Sequence, residues 1–80
     1  MVFEDVIRSY YLLNKKELKT KGGKIYYKLS LYNYNDDDFQ ALFVTKEIYD
    51  KCVLNKTYKF ICKLSIYENN VTRLDIKDVM

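Results

Sequence analysis

Between Lys24 and Tyr34 the chain alternates: Ile25, Tyr27, Leu29 and Leu31 share one parity, and Lys24, Tyr26, Lys28, Ser30, Tyr32 and Tyr34 share the other. Successive side chains of a strand point to opposite faces. The stretch therefore predicts a strand that buries an aliphatic face and shows an aromatic, cationic one. Thr57 to Tyr67 alternates more regularly still. Tyr58, Phe60, Cys62, Leu64 and Ile66 face one way, and Thr57, Lys59, Ile61, Lys63, Ser65 and Tyr67 the other. The two strands share a template, with Lys24, Lys28, Ser30 and Tyr32 matching Lys59, Lys63, Ser65 and Tyr67. The echo adds lysines to the outward side of the sheet.

Three further strands are weaker. Val6 to Leu13 is rich in β-formers, but Tyr10 to Leu13 is apolar throughout, which predicts a bulge or cover on both faces. The polar run from Asn14 to Lys21 either prolongs this strand into a hairpin arm or forms a loop. It has only Leu18 to bury as a helix, so a helix is rejected. Gly22 and Gly23 supply the positive φ of a tight hairpin turn. Phe39 to Val44 predicts a third strand that is apolar on both parities; whether Phe39 and Phe43 or Leu42 and Val44 face the core stays open. Thr45 reads as an N-cap, with Glu47 in the first turn, where the helix dipole favours an anion. Ile48, Tyr49, Cys52 and Val53 give a short amphipathic helix ended near Asn55. Val71 to Val79 closes the series, with Leu74 and Ile76 inward and Arg73, Asp75 and Lys77 outward.

The order is β-β-β-α-β-β. Five short strands with one helix between the third and fourth make an all-β chain: a small five-stranded Greek-key barrel, the OB-fold, as a single domain over residues 1–80. An SH3-like barrel or an α+β sheet is the alternative.

Composition narrows the chemistry. The net charge is only +3 over 80 residues, with no proline, no histidine and no tryptophan. The distribution is uneven: Arg8, Lys15, Lys16, Lys19, Lys21, Lys24 and Lys28 precede the three consecutive acids Asp36, Asp37 and Asp38, with only Glu17 among them. A concentrated basic stretch is the footprint of a polyanion binder. Without histidine there is no ordinary acid–base relay, and no phosphate-cradling glycine loop is present, so the chain is not expected to be an enzyme. The acidic run lacks the spacing of a calcium loop, and Cys52 and Cys62 fit no metal motif; no cofactor is expected. No apolar run approaches membrane-spanning length, the start carries no basic signal-like region, and the thiols read as reduced. A cytoplasmic protein is expected. Heavy use of Lys, Asn, Ile and Tyr hints at an AT-rich genome, such as that of a low-GC bacterium or a mobile element.

Flat rings stack on unpaired bases and cations neutralise phosphates. Tyr26, Tyr32 and Tyr34 are therefore the candidate stacking platforms, with Lys24 and Lys28 beside them, Lys16, Lys19 and Lys21 on the first hairpin, and Lys59 and Lys63 on the fourth strand. One segment carries a resemblance. Glu17-Leu18-Lys19-Thr20-Lys21-Gly22-Gly23-Lys24, followed by Lys28-Leu29-Ser30-Leu31, resembles the first hairpin of bacterial single-stranded DNA-binding proteins. Lys56 to Phe60 and the chain's size resemble the small single-stranded DNA-binding proteins of filamentous phages. The resemblance implies an OB-fold module, dimeric or tetrameric, that binds single-stranded DNA through aromatic stacking and lysine–phosphate contacts. It implies a place in the replication, recombination or transfer of a phage or plasmid. RNA is the neighbouring expectation. A small barrel that uses its tyrosine face for protein–protein assembly is the alternative from another class, since tyrosine is enriched at interfaces.

Overall fold

A computed structural model describes residues 2–80. The described residues are all-β apart from one helix. β1 runs from Val2–Lys19, β2 from Ile25–Asn33, β3 from Asp38–Val44, α1 from Lys46–Lys51, β4 from Thr57–Ile66 and β5 from Thr72–Val79. They form one antiparallel sheet in the order β3-β2-β1-β4-β5. This is the strand order and helix position of the OB-fold. Among the described residues, no helix is long and apolar enough to cross a membrane.

β1 organises the sheet because both neighbours use it. Its first half, Val2 to Tyr11, pairs with β4, and its second half, Tyr11 to Lys19, pairs with β2. The handover coincides with a register shift between Leu12 and Asn14. The extra residue bends the strand, so the polar run after Leu13 continues as the arm of a hairpin rather than as a loop. The hairpin closes where the Thr20 amide donates to the Lys24 carbonyl at 2.9 Å. Only Gly23 of the glycine pair takes positive φ there, +83°. Asn33 ends β2: its Oδ1 accepts the amides of Asn35 and Asp36 at 2.9 and 3.0 Å, a side-chain turn typical of asparagine.

The concave side holds the core: Tyr10, Leu12, Leu29, Leu31, Phe60 and Cys62 from the strands, Ile48 from α1 and Cys52 just beyond it. The alternation of β2 and β4 is thus realised at Leu29, Leu31, Phe60 and Cys62. In β3, Leu42 and Val44 pack against the core, opposite Leu29 and Tyr27, while Phe39 and Phe43 are 56% and 59% exposed. The question left open by the sequence is settled by this register. Thr45 Oγ1 accepts the Ile48 amide at 3.4 Å and caps α1. The helix has close to two turns but ends before the Asn55 stop that its apolar spacing suggests. It stops at Cys52, and Val53 is 53% exposed rather than buried. Asn55 takes the left-handed conformation, φ 64°, in the following turn, where its amide and that of Leu12 tie the segment to β1.

The sheet curls into a half-barrel. Alternating directions across five strands bring β3 and β5 together as parallel edges, and no ladder joins them. A parallel pair would need slanted bonds in a different register. A cleft of about 360 Å³ remains along this seam, lined by Gln40, Leu42, Thr72 and Leu74 among others.

The Tyr10 hydroxyl of β1 donates to Asp38 Oδ2 at the start of β3 at 2.7 Å. Burial, first, and the adjoining carboxylate, second, push this phenol far above its ordinary 10.0. A phenol harder to ionise folded than unfolded supports the fold fully below pH 10 and loses that support as pH rises beyond it. The urea midpoint should fall as pH rises through 10 and 11, with a limiting slope for this group of roughly 1.4 kcal/mol per pH unit. Tyr10→Phe should flatten that slope; an identical slope in the two proteins would exclude Tyr10 as its source.

Candidate nucleic-acid interface

The convex face of β1, β2 and β3 follows from the same registers. Along β2 it shows Tyr26, Lys28, Ser30 and Tyr32. β1 sets Leu18, Lys16, Asn14 and Tyr11 opposite them, and β3 sets Phe43, Ala41 and Phe39 opposite Lys28, Ser30 and Tyr32. Two aromatic groups result, about 20 Å apart along β2 at the usual rise of roughly 3.3 Å per residue.

The first is basic. The Tyr26 and Phe43 rings meet edge to face with centroids 5.9 Å apart. Lys24 Nζ lies 5.3 Å from the Tyr26 centroid and Lys28 Nζ 5.9 Å from that of Phe43. Lys16 stands opposite Lys28 on β1. Two exposed rings among three ammonium groups suit a stacked base with its flanking phosphates, because stacking needs a free π-face and the cations need only reach the backbone. Lys21, in the exposed turn, extends this positive end.

The second group is neutral to acidic. Tyr34 stands perpendicular to Tyr32 at 4.6 Å and edge-on to Tyr11 at 5.8 Å. The Tyr32 hydroxyl donates to the Asp37 carboxylate. This bond, with the nearby negative charge, pushes the Tyr32 phenol up. Tyr11 donates to Asn55 Oδ1 at 3.1 Å. The three consecutive acids do not converge: Asp37 takes Tyr32, and Asp38 takes Tyr10 and Gln40.

The residues singled out in the sequence are thus divided. Tyr26, Lys24, Lys28, Lys16 and Lys21 gather at one end of the face, and Tyr32 and Tyr34 at the other. Lys19 does not join them. It is one residue out of phase with Leu18 and pairs with Ile25, so it projects from the opposite side of the arm. Lys59 lies across from Ser9, one strand beyond the tyrosines. Lys63 is further away: it covers the Phe3 ring at 4.2 Å and sits in register between Asp5 and Asp75. That part of the convex face is charge-balanced, since Lys77 bridges to Asp5 at 3.3 Å and Arg73 to Asp75 at 3.1 Å. Lys15 is turned to the reverse of the arm, over the Tyr49 ring at 4.1 Å.

Three members of the face were not among the sequence candidates. Phe39 and Phe43 were ambiguous in parity, and Tyr11 sat in an apolar run whose facing depends on the bulge. The chemistry of the cysteines is quiet: both are free and buried, and burial pushes their thiols up, which keeps them protonated. Comparison with family models, curated proteins and solved structures finds no match to this chain.

Proposed function

We infer that the protein binds single-stranded DNA on the convex face of β1, β2 and β3, by base stacking and lysine–phosphate contacts. The observation that carries this reading is the exposed Tyr26–Phe43 pair set among Lys16, Lys24 and Lys28. A partner-protein interface would place its aromatics in a dry centre depleted of charge, whereas here the cations lie over the rings. The buried free thiols fit a reducing, cytoplasmic setting. Several copies on one strand, as in a dimer or tetramer, would add avidity to a short individual track.

Titration with oligo-dT, followed by tyrosine fluorescence at two salt concentrations, tests the reading. Nine tyrosines and no tryptophan make the signal. Quenching at low salt is expected. The affinity should fall with salt with a log–log slope of about −2, from roughly −0.7 for each of three lysine contacts. No quenching and no retarded migration at low salt would overturn it.

A further inference from the structure

The first half of β1 is paired on one side only. From Val2 to Tyr11 that side belongs to β4, and β2 joins the strand only from Tyr11 onward. Backbone groups of alternate residues on a strand point to opposite neighbours. The Leu12 amide and carbonyl turn to Lys56 and Asn55, in the segment that leads into β4. The Ser9 carbonyl turns the other way, to the Asn33 Nδ2 at the end of β2. Phe3, Asp5 and Ile7 share the parity of Ser9, so their amides and carbonyls aim at the open side. Among the described residues no strand meets them there. Edges of this kind recruit further strands unless proline, lysine or a bulge blunts them. Val2 to Ser9 has none of the three, and Val2, Phe3 and Ile7 are each more than half exposed.

We propose that this edge pairs with the same edge of a second copy of the chain, antiparallel about a two-fold axis at Val6. The occupant is a second copy because the edge is complementary to itself. With Val6 on the axis, Glu4 of each copy stands opposite Arg8 of the other, twice by symmetry. Both side chains are exposed, and neither has an ion-pair partner in its own chain among the described residues. Val6 meets Val6 in the close, non-hydrogen-bonded spacing, and Asp5 and Ile7 become the hydrogen-bonded pairs. An axis at Asp5 or at Glu4 would set like charges face to face, which destabilises an antiparallel pair. An axis at Ile7 would leave Arg8 against Val6. The charges thus select one register. The result is a six-stranded sheet, β5-β4-β1 from each copy. Its axis is perpendicular to the sheet, so the convex faces of both copies look the same way. The inference is independent of what that face binds.

Sedimentation equilibrium at low salt, from micromolar to submillimolar protein, tests it on the wild type, Glu4→Arg, Arg8→Glu and the double variant that carries both changes. The wild type should dimerise. Each single change turns two attractive cross-strand pairs into repulsive ones, so the dimer dissociation constant should rise roughly tenfold or more. The double variant restores opposite charges across the axis and should return to within about threefold of the wild type. A charge swap that harmed only the fold would not be rescued in this way. Ile7→Pro is the second probe. It removes an amide that points to the open side, so the bonds to β4 survive, as far-UV circular dichroism would report, while dimerisation is lost. A wild type that stays monomeric over the whole range overturns the proposal. So does a dimer that none of the variants weakens, and so does a double variant as dissociated as the single ones. None of these results bears on oligo-dT binding by the monomer, which is measured separately.

Discussion

Phe60→Ala is expected to cost about 3–5 kcal/mol of stability. The ring is fully buried, with centroids 6.3 Å from Tyr10 and 6.1 Å from Tyr58, and β4 sets it between Arg8 of β1 and Val79 of β5. Truncation leaves a void that three hydrogen-bonded strands cannot close without breaking their ladders. At about 0.05–0.15 kcal/mol per residue a chain of 80 residues has some 4–12 kcal/mol in total, so this one change removes a large part of it. The control is Phe43→Ala. The same deletion at a ring that is 59% exposed should stay within about 0.5 kcal/mol. Urea midpoints of the two variants and the wild type decide. A comparable loss at Phe43 would mean that the convex face is packed against something, and the binding surface described above would have to be abandoned.

That pair of phenylalanines also marks how far the sequence could be read. Strong alternation made β2 and β4 legible, down to Leu29, Leu31, Phe60 and Cys62 as core, because one parity was apolar and the other was not. Turn chemistry at Gly23 and Asn33 and the cap at Thr45 located the breaks. From Phe39 to Val44 both parities are apolar, so periodicity carries no facing information. Only the pairing of Leu42 with Leu29 decides, and pairing is a long-range property. The same limit hid Tyr11 and misplaced Lys19. A single extra residue at Leu13 reverses parity along the rest of β1, and its position was not readable from an apolar run. Lys63 failed for a different reason: its spacing was right, but Asp5 and Asp75 come beside it only when β1 and β5 flank β4. Nor could the sequence show the seam, since closure depends on how two edges 30 residues apart meet.

Replacing Tyr26 and Phe43 together by alanine should weaken single-stranded DNA binding by at least 5-fold and by up to about 150-fold, the range that one stacked base supplies at roughly 1–3 kcal/mol. The rings touch at 5.9 Å, so they are not independent. If they form one platform for one base, each single variant should already show most of the loss; if they hold two bases, the losses should multiply. Lys28→Ala separates charge from stacking. Its ammonium reaches over Phe43, but its main consequence is a salt slope shallower by about 0.7, whereas the aromatic variant should lower affinity at every salt concentration with the slope unchanged. Neither change should move the urea midpoint appreciably, because both rings lie on the convex face outside the core. An aromatic variant that keeps its affinity for oligo-dT but loses self-association would assign the face to assembly instead, and the lysines would then be solvating an interface rather than tracking a strand.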